Sequence, residues 1–315
     1  MNFTHNNHLK FGWGDGLYNF DNKDDQFWTE FTPAEYMPTS FKTECLRSAR
    51  LIGEAANGKP VLVALSGGID SEITVRCFLE VGVPVEVLTA NIIHNGKVAN
   101  AHETVYGDNF IKKFGIKSHV VNMDFHETIV ARANSIRATN NPATPYYRVR
   151  LPFLSQAMFF EPYCQDYYCV RGGGDVALTP YRYYRQPEPV QYGLYVPYAG
   201  SFMAMYELAS RQNAGCCQFF SYTSEILLAW MLDPVIQHWM KYERTLMAEH
   251  CWMNTHAVKP YIMYSLWPDM EIRPKLTGFE RIPEFLELYM DPFYNDSKEL
   301  VKIPAEDTFK ALVPK

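Results

Sequence analysis

The chain has no Cys-x-x-Cys pair, no long apolar run and no excess of basic charge, and each absence removes a class of function. Its seven cysteines are odd in number and irregularly spaced. Neither a disulfide framework nor a zinc ribbon follows from them, and they read as reduced thiols of a cytoplasm. No window reaches the ~18 apolar residues that a membrane helix needs. The first residues, Met1-Asn2-Phe3-Thr4-His5-Asn6-Asn7-His8, hold neither a basic run nor an apolar one, so a soluble, unexported, cytoplasmic protein without a membrane partner is expected. A formal charge of −6 over 315 residues disfavours nucleic acid, which is normally met by a basic face, and favours a small-molecule substrate. No Gly-Lys-Ser/Thr occurs, which excludes a Walker A loop. What is present is a 47% hydrophobic composition, enough for one sizeable core or one core with a smaller appendage.

Residues 1–39 are rich in aromatics, Gly, Asn and Asp without a sustained period, and read as loops and short strands. Helical spacing over 40–56 (Phe41, Cys45, Leu46, Ala49, Ile52) predicts a helix stopped by Asn57 and Gly58. From 60 to 171 strand and helix patterns alternate. Strands are predicted over 60–65, 85–90, 118–123 and 167–171. Helices are predicted over 71–81, on a face formed by Ala99, His102, Val105, Tyr106, Phe110 and Phe114, and over 125–138 and 151–160. Such alternation means parallel pairing through right-handed crossovers, so the expected fold is α/β, a doubly wound parallel sheet in a Rossmann-like α/β/α sandwich. Tyrosines, prolines and arginines fill 178–198. Helical patterns occupy 200–212 and 223–251, the second kinked at Pro234. Seven prolines over 256–315 point to a helical C-terminal part with an extended tail. The expected division is an irregular segment 1–39, an ATP-binding domain 40–200, and a helical substrate-side region 201–315.

The residues that carry chemistry are Leu65-Ser66-Gly67-Gly68-Ile69-Asp70-Ser71, between the strand Pro60-Val61-Leu62-Val63-Ala64 and a helix. A strand that turns into a helix leaves unpaired N–H groups past the sheet edge, where the helix dipole favours an anion. Gly67 and Gly68 let the backbone approach phosphate oxygens, and Ser66 and Ser71 can donate hydroxyl hydrogen bonds. A carboxylate beside phosphate is repelled unless a divalent cation lies between them, so Asp70 implies Mg²⁺.

Ser-Gly-Gly-x-Asp-Ser in this setting resembles the signature of the PP-loop, or N-type, ATP pyrophosphatases, the adenine nucleotide alpha-hydrolase-like superfamily. It includes synthetase domains for asparagine, GMP, NAD and argininosuccinate, tRNA lysidine synthetase, thiouridylases and, more distantly, phosphoadenosine phosphosulfate reductases. The layout of residues 40–180 is nearest to asparagine synthetase-type domains. The resemblance implies ATP as cofactor, cleavage between its α and β phosphates, and a second carboxylate on the metal. Asp175, in Val170-Arg171-Gly172-Gly173-Gly174-Asp175, is the candidate, with Gly173 and Gly174 lining the turn. Asparagine synthetases resemble Gly-Glu-Gly-x-Asp-Glu there. This chain has Gly173 where the first Glu would fall and Val176 after the Asp, which argues against an asparagine-forming role.

The resemblance also carries the adenine to Ala90 and Asn91 at the end of the second strand. His94, Asn95 and His102 follow and can line that pocket. A late basic residue, Arg273 or Lys275, is implied for the departing pyrophosphate.

The expected reaction is attack by a substrate oxygen on the α-phosphorus of Mg-ATP, giving an adenylate that a nitrogen nucleophile converts to an amide. A residue other than cysteine after Met1 implies no fused glutaminase, so ammonia, an amine or a separate glutaminase is expected as donor. Two alternatives stand beside this ligase. One is a sulfur-transfer or nucleotide- or tRNA-modifying enzyme, including a phosphoadenosine phosphosulfate reductase-like one, although cysteine spacing speaks against it. The other is a nucleotide-binding sensor without turnover.

Overall fold

The computed structural model describes residues 8–13, 16–17, 27–141, 151–173, 179–183, 191–198, 204, 207–208, 211, 216–238, 255–274, 278–285 and 301–315. Three strands near the N-terminus, β1 (Leu9–Trp13), β2 (Gly16–Leu17) and β3 (Phe27–Phe31), form an antiparallel sheet in the order β2-β1-β3. Helix α1 (Phe41–Ala55) follows, capped by the Ser40 side chain on the Thr43 N–H.

The central sheet contains β4 (Val61–Ala64), β5 (Val85–His94), β6 (Lys97–Val98), β7 (Ser118–Asp124), β8 (Tyr168–Arg171) and β11 (Cys216–Gln218). Five of these run parallel, in the spatial order β7-β5-β4-β8-β11, and only β6 is antiparallel, to β5. Taken in chain order, the parallel strands are arranged 3-2-1-4-5. The chain builds outward from β4 in one direction, returns, and builds in the other, so the order reverses between β4 and β8. In an open α/β sheet a crevice forms at that reversal, beyond the carboxyl ends of the strands.

Sequence explains these strands directly. Val61, Leu62 and Val63 are 0–1% exposed, as a strand covered on both faces requires. Covering helices include α2 (Ile69–Glu80), α3 (Ala101–Phe114) and α5 (Leu151–Phe160). A single π-helical turn (Phe125–Val130) leads into α4 (Ala131–Thr139). Helix α3 ends at Gly115 in the left-handed region (φ 64°), the conformation glycine adopts without strain.

Four findings add to or revise these expectations. First, the tyrosine- and proline-rich stretch, to which the sequence assigns no element, holds two strands, β9 (Thr179–Tyr183) and β10 (Gln191–Tyr198), which pair antiparallel with each other. Second, the described end of the chain, residues 301–315, holds a strand and a helix: β12 (Val301–Pro304) pairs with β10, and α8 (Ala305–Leu312) buries Leu312 completely. Third, Pro234 does not kink a continuous helix. Helix α6 (Ser224–Leu232) ends at Asp233 (ψ 131°), whose carboxylate accepts from the Val235 N–H and starts a new segment over 234–238. Pro234 thus occupies a helix start, where its missing N–H costs nothing. Fourth, Val105 and Phe114 are 45% and 40% exposed, while Glu103 and Thr104 are buried on α3.

Helix α7 (Thr255–Leu266) packs against α2. No helix among the described residues is long and apolar enough to cross a membrane. Cys45, Cys77, Cys164, Cys169 and Cys217 are buried and form no disulfide.

Candidate functional site

Strand β4 ends at Ala64, and the chain turns through Leu65 to Gly68 into α2. The Leu65 N–H still donates to Leu88 O on β5 (2.9 Å), so the loop departs from a fixed point. Gly67 sits at φ 95°, and a Cβ there would lie 2.0 Å from the carbonyl oxygen of Glu103 on α3. Both backbone conformation and space therefore demand glycine. Within the loop, the Gly68 N–H donates to Ser66 Oγ (3.1 Å), and Ser71 Oγ donates to Gly68 O (2.9 Å). Helix α2 has no side-chain cap, so its opening turn meets the crevice with backbone N–H groups and the positive end of its dipole.

The second Gly-rich turn follows β8, across the strand-order reversal. A Cβ on Gly172 would lie 2.7 Å from Ser71 Cα and 2.9 Å from both Ser71 N and Asp70 O. The two turns are thus in backbone contact, and glycine is what permits it. Gly173 donates its N–H to Arg171 O and accepts from the Phe220 N–H, both at 2.9 Å. Gly174 and Asp175 lie outside the described residues, as does Lys275.

Asp70 is 26% exposed, and Lys259 Nζ lies 2.6 Å from its Oδ1. Lys259 is on α7, 3% exposed, with its ammonium 5.5 Å from the Phe220 ring centroid. The opening carboxylate of α2 is therefore matched by a desolvated cation delivered from almost 190 residues further along the chain. The next carboxylate, Glu72, is matched twice. Arg76 Nε lies 2.7 Å from its Oε1, and Arg273 Nη2 lies 2.5 Å from its Oε2. Arg76 also donates to both oxygens of Asp269 (3.0 and 2.9 Å), and this holds the Asp269 carboxyl below the usual carboxylate range. Arg273 packs over the Tyr106 ring and receives support from Tyr264, whose hydroxyl accepts its backbone N–H. Both acidic side chains in the first turn of α2 thus have cationic partners, which lowers the repulsion an incoming anion would meet.

On the other flank, β5 runs beyond β4. Two of its exposed-edge groups are satisfied by one buried carboxamide: Asn100 Oδ1 accepts from the Ile92 N–H (2.9 Å), and its Nδ2 donates to Ala90 O (2.8 Å). Asn91 donates to Asn122 Oδ1 on β7 (2.9 Å). Gly278 (φ 82°) closes over this flank: a Cβ there would lie 2.8 Å from Glu103 Oε2. His94 and His102 are each paired with a glutamate of the segment after Gly278, Glu284 and Glu280 respectively.

Strand, loop and helix together resemble the PP-loop layout. No protein-family model matches the chain, and no curated protein matches it in sequence. Among the solved structures similar to it in part are the following three. An NMN synthetase from Francisella tularensis aligns at 16% identity over 42% of this chain and 54% of its own, with a TM-score of 0.30. A predicted subunit of tRNA methyltransferase from Methanocaldococcus jannaschii aligns at 19% identity over 51% and 66%, with a TM-score of 0.28. An NH3-dependent NAD synthetase from Campylobacter jejuni aligns at 10% identity over 76% and 99%, with a TM-score of 0.32. The chain spans about half the length of the first of these. These likenesses are partial, and the site stands on its own geometry.

Sequence places Leu65, Ser66, Gly67, Gly68, Asp70 and Ser71 in one loop, and the fold brings the turn that carries Gly173 against it through Gly172. Arg273 lies at Glu72, below the loop. Lys259 and Asn100 join the site only through the fold. The signal for Lys259 is a charge inside an apolar stretch, Ala257-Val258-Lys259-Pro260-Tyr261-Ile262-Met263. For Asn100 no local signal exists, since its role depends on where β4 ends.

Proposed function

We propose that this chain is an ATP pyrophosphatase-type enzyme: it binds ATP at the β4–α2 loop, releases pyrophosphate, and transfers AMP to a small-molecule carboxylate that goes on to form an amide. The observation that carries this reading is the backbone contact of Gly172 with Asp70 and Ser71 at the strand-order reversal. It supports one site built from two Gly-rich turns that meet at the carboxyl ends of β4 and β8, where an open α/β sheet forms its crevice.

In this reading the first-turn N–H groups of α2 hold the β and γ phosphates, with Ser66 and Ser71 fixing the loop's shape. Asp70 fits Mg²⁺, because a partly exposed hard-oxygen donor beside a phosphate cradle supplies what that ion takes from protein, and phosphate oxygens and water complete its shell. When bound, the ion neutralises charge on the triphosphate. Asp175 is the second proposed carboxylate. Lys259 takes the role that the resemblance offers to Arg273 or Lys275: its ammonium, already at Asp70, balances negative charge that builds on the departing pyrophosphate. Arg273 supports the helix that carries Asp70. Ala90 and Asn91 remain the proposed adenine flank, where Asn100 holds the Ala90 carbonyl and Asn91 pairs with Asn122. The nitrogen donor is ammonia, an amine or a separate glutaminase product, in a reducing cytoplasm.

Incubating the protein with Mg²⁺ and ATP labelled at the α-phosphorus tests this. Labelled AMP and pyrophosphate are expected, with turnover rising when the cognate acid is supplied. Release of ADP and orthophosphate contradicts the proposal, and binding without any release supports the sensor reading instead.

A further inference from the structure

The carboxyl ends of β5 and β7 carry a group of side chains to which the proposed function assigns no role. His94 ends β5, and His126 opens the π-helical turn after β7. Asp124 fixes that turn by accepting from the backbone N–H groups of His126 and Glu127 (2.9 and 2.8 Å). Glu284 reaches the same point from the segment 278–285, which is anchored by buried Ile282 and Phe285. One donor atom from each of the three residues can be chosen so that all lie within 4.8 Å of one another. His94 Nε2 lies 3.1 Å from Glu284 Oε2, and His126 Nε2 lies 3.8 Å from Glu284 Oε1. Donors bound tetrahedrally to one zinc ion at 2.0–2.1 Å are about 3.3 Å apart, between these two values.

The His94–Glu284 ion pair lacks the hydrogen-bond geometry of comparable pairs. Two other histidine–glutamate pairs in the chain, His102 with Glu280 (3.1 Å) and His119 with Glu86 (2.6 Å), have true hydrogen-bond geometry. The His94–Glu284 contact has the same length as the first, yet Glu284 Oε2 is buried with no hydrogen-bond partner. One donor atom of each imidazole and of the carboxylate nevertheless falls within the same 4.8 Å. A buried carboxylate oxygen without a donor is costly, and a cation at that point relieves it.

From this cluster we infer a binding site for a transition-metal dication, Zn²⁺ in the first instance, held by His94, His126 and Glu284. Two imidazoles with one carboxylate suit Zn²⁺ and its neighbours in the series rather than Mg²⁺ or Ca²⁺, which take oxygen donors. The rings are anchored: His94 and His126 both meet the fully buried Phe125 edge-on, at 5.9 and 5.2 Å between centroids. His126 and Glu284 are 48% and 44% exposed, so the fourth position opens to solvent. Three protein ligands and an open position make a site that takes water or an oxygen or nitrogen donor of a ligand. The metal also joins the segment 278–285 to the sheet edge beside Ala90 and Asn91. The site is independent of the nucleotide reading and survives its failure.

The test is titration of the metal-free full chain with Co²⁺, followed by displacement with Zn²⁺. One equivalent of Co²⁺ is expected to give the intense visible bands of four- or five-coordination, which Zn²⁺ abolishes. His126→Ala removes a half-exposed ring, and Glu284→Gln keeps side-chain volume; each is expected to weaken binding by ~100-fold or more, since even residues behind metal ligands cost 10–100-fold. Metal-free melting temperatures of the variants serve as the folding control. Equal Co²⁺ affinity in wild type and in the two folded variants, or octahedral bands only, overturns the inference.

Discussion

Replacing Gly172 by alanine tests whether the two Gly-rich turns act as one site. The new Cβ would sit 2.7 Å from Ser71 Cα and 2.9 Å from Asp70 O, all backbone atoms of the first turn of α2. Unstrained carbon contacts lie at about 3.5–4.0 Å, so the turn must retreat by about 1 Å. Overpacking of this kind costs about 1–3 kcal/mol of stability. A displacement of about 1 Å in a reacting constellation costs ~100-fold in rate, so turnover of ATP should fall by that factor. Gly173 provides the control one residue along. A Cβ there meets only the end of the flexible Arg171 side chain, at 3.5 Å, and nothing closer. Gly173→Ala should be neutral or stabilising by about 0.4–1 kcal/mol, through lost freedom of the unfolded chain. Chemical melts and pyrophosphate release, measured on both variants, give the comparison. Turnover within threefold of wild type in folded Gly172→Ala would refute the reasoning.

Lys259→Met keeps length and removes the ammonium at Asp70; turnover should drop ~100-fold with nucleotide affinity changed far less, as expected for charge stabilisation in the transition state. Rapid-quench measurement of pyrophosphate release separates the two effects, and a loss confined to affinity contradicts the assigned role. Arg273→Ala strands Glu72 beside a single remaining arginine, so urea unfolding should show a loss of about 3–5 kcal/mol. The double variant Arg273→Met with Glu72→Gln should recover much of it. At the opposite end of β5, burial pushes the Glu86 carboxyl up, but hydrogen bonds from His119, Lys117 and Tyr167 overcome it and hold it down at about 2, from an ordinary 4.5. A depressed carboxylate stabilises the fold above its unfolded value and loses that contribution as pH falls through its folded one. Urea melts from pH 6 to pH 2 should therefore show wild type more stable than Glu86→Gln near neutrality, with the two converging between about 4.5 and about 2. A constant gap contradicts this.

The legible parts of the fold were those with local causes. Val61-Leu62-Val63 is apolar on both faces, Gly115 ends a helix, and Ser-Gly-Gly-x-Asp-Ser sits between a strand and a helix, so strand, helix and loop could be read in place. The strand-order reversal was expected as a class of fold, but its fifth strand, Cys216–Gln218, is three residues long and too short to carry a period. Strands β9 and β10 escaped because tyrosine and proline mask alternation and the third partner, β12, lies about a hundred residues away. Burial of Glu103 on α3 ran against the apolar face read there, because that face meets the Gly67 loop rather than a hydrophobic layer. Lys259 and Asn100 take their meaning from distant backbone. A lysine at Asp70 depends on α7 packing on α2, and no spacing in the sequence announces that contact.

Hydrogen exchange with and without ATP and Mg²⁺, read by mass spectrometry over the whole chain, tests the central claim that this loop is the nucleotide site. Slowed exchange concentrated in residues 65–72 and 170–175 is the expected result. ATP that binds while leaving both turns unchanged, or protects a different part of the chain, contradicts it.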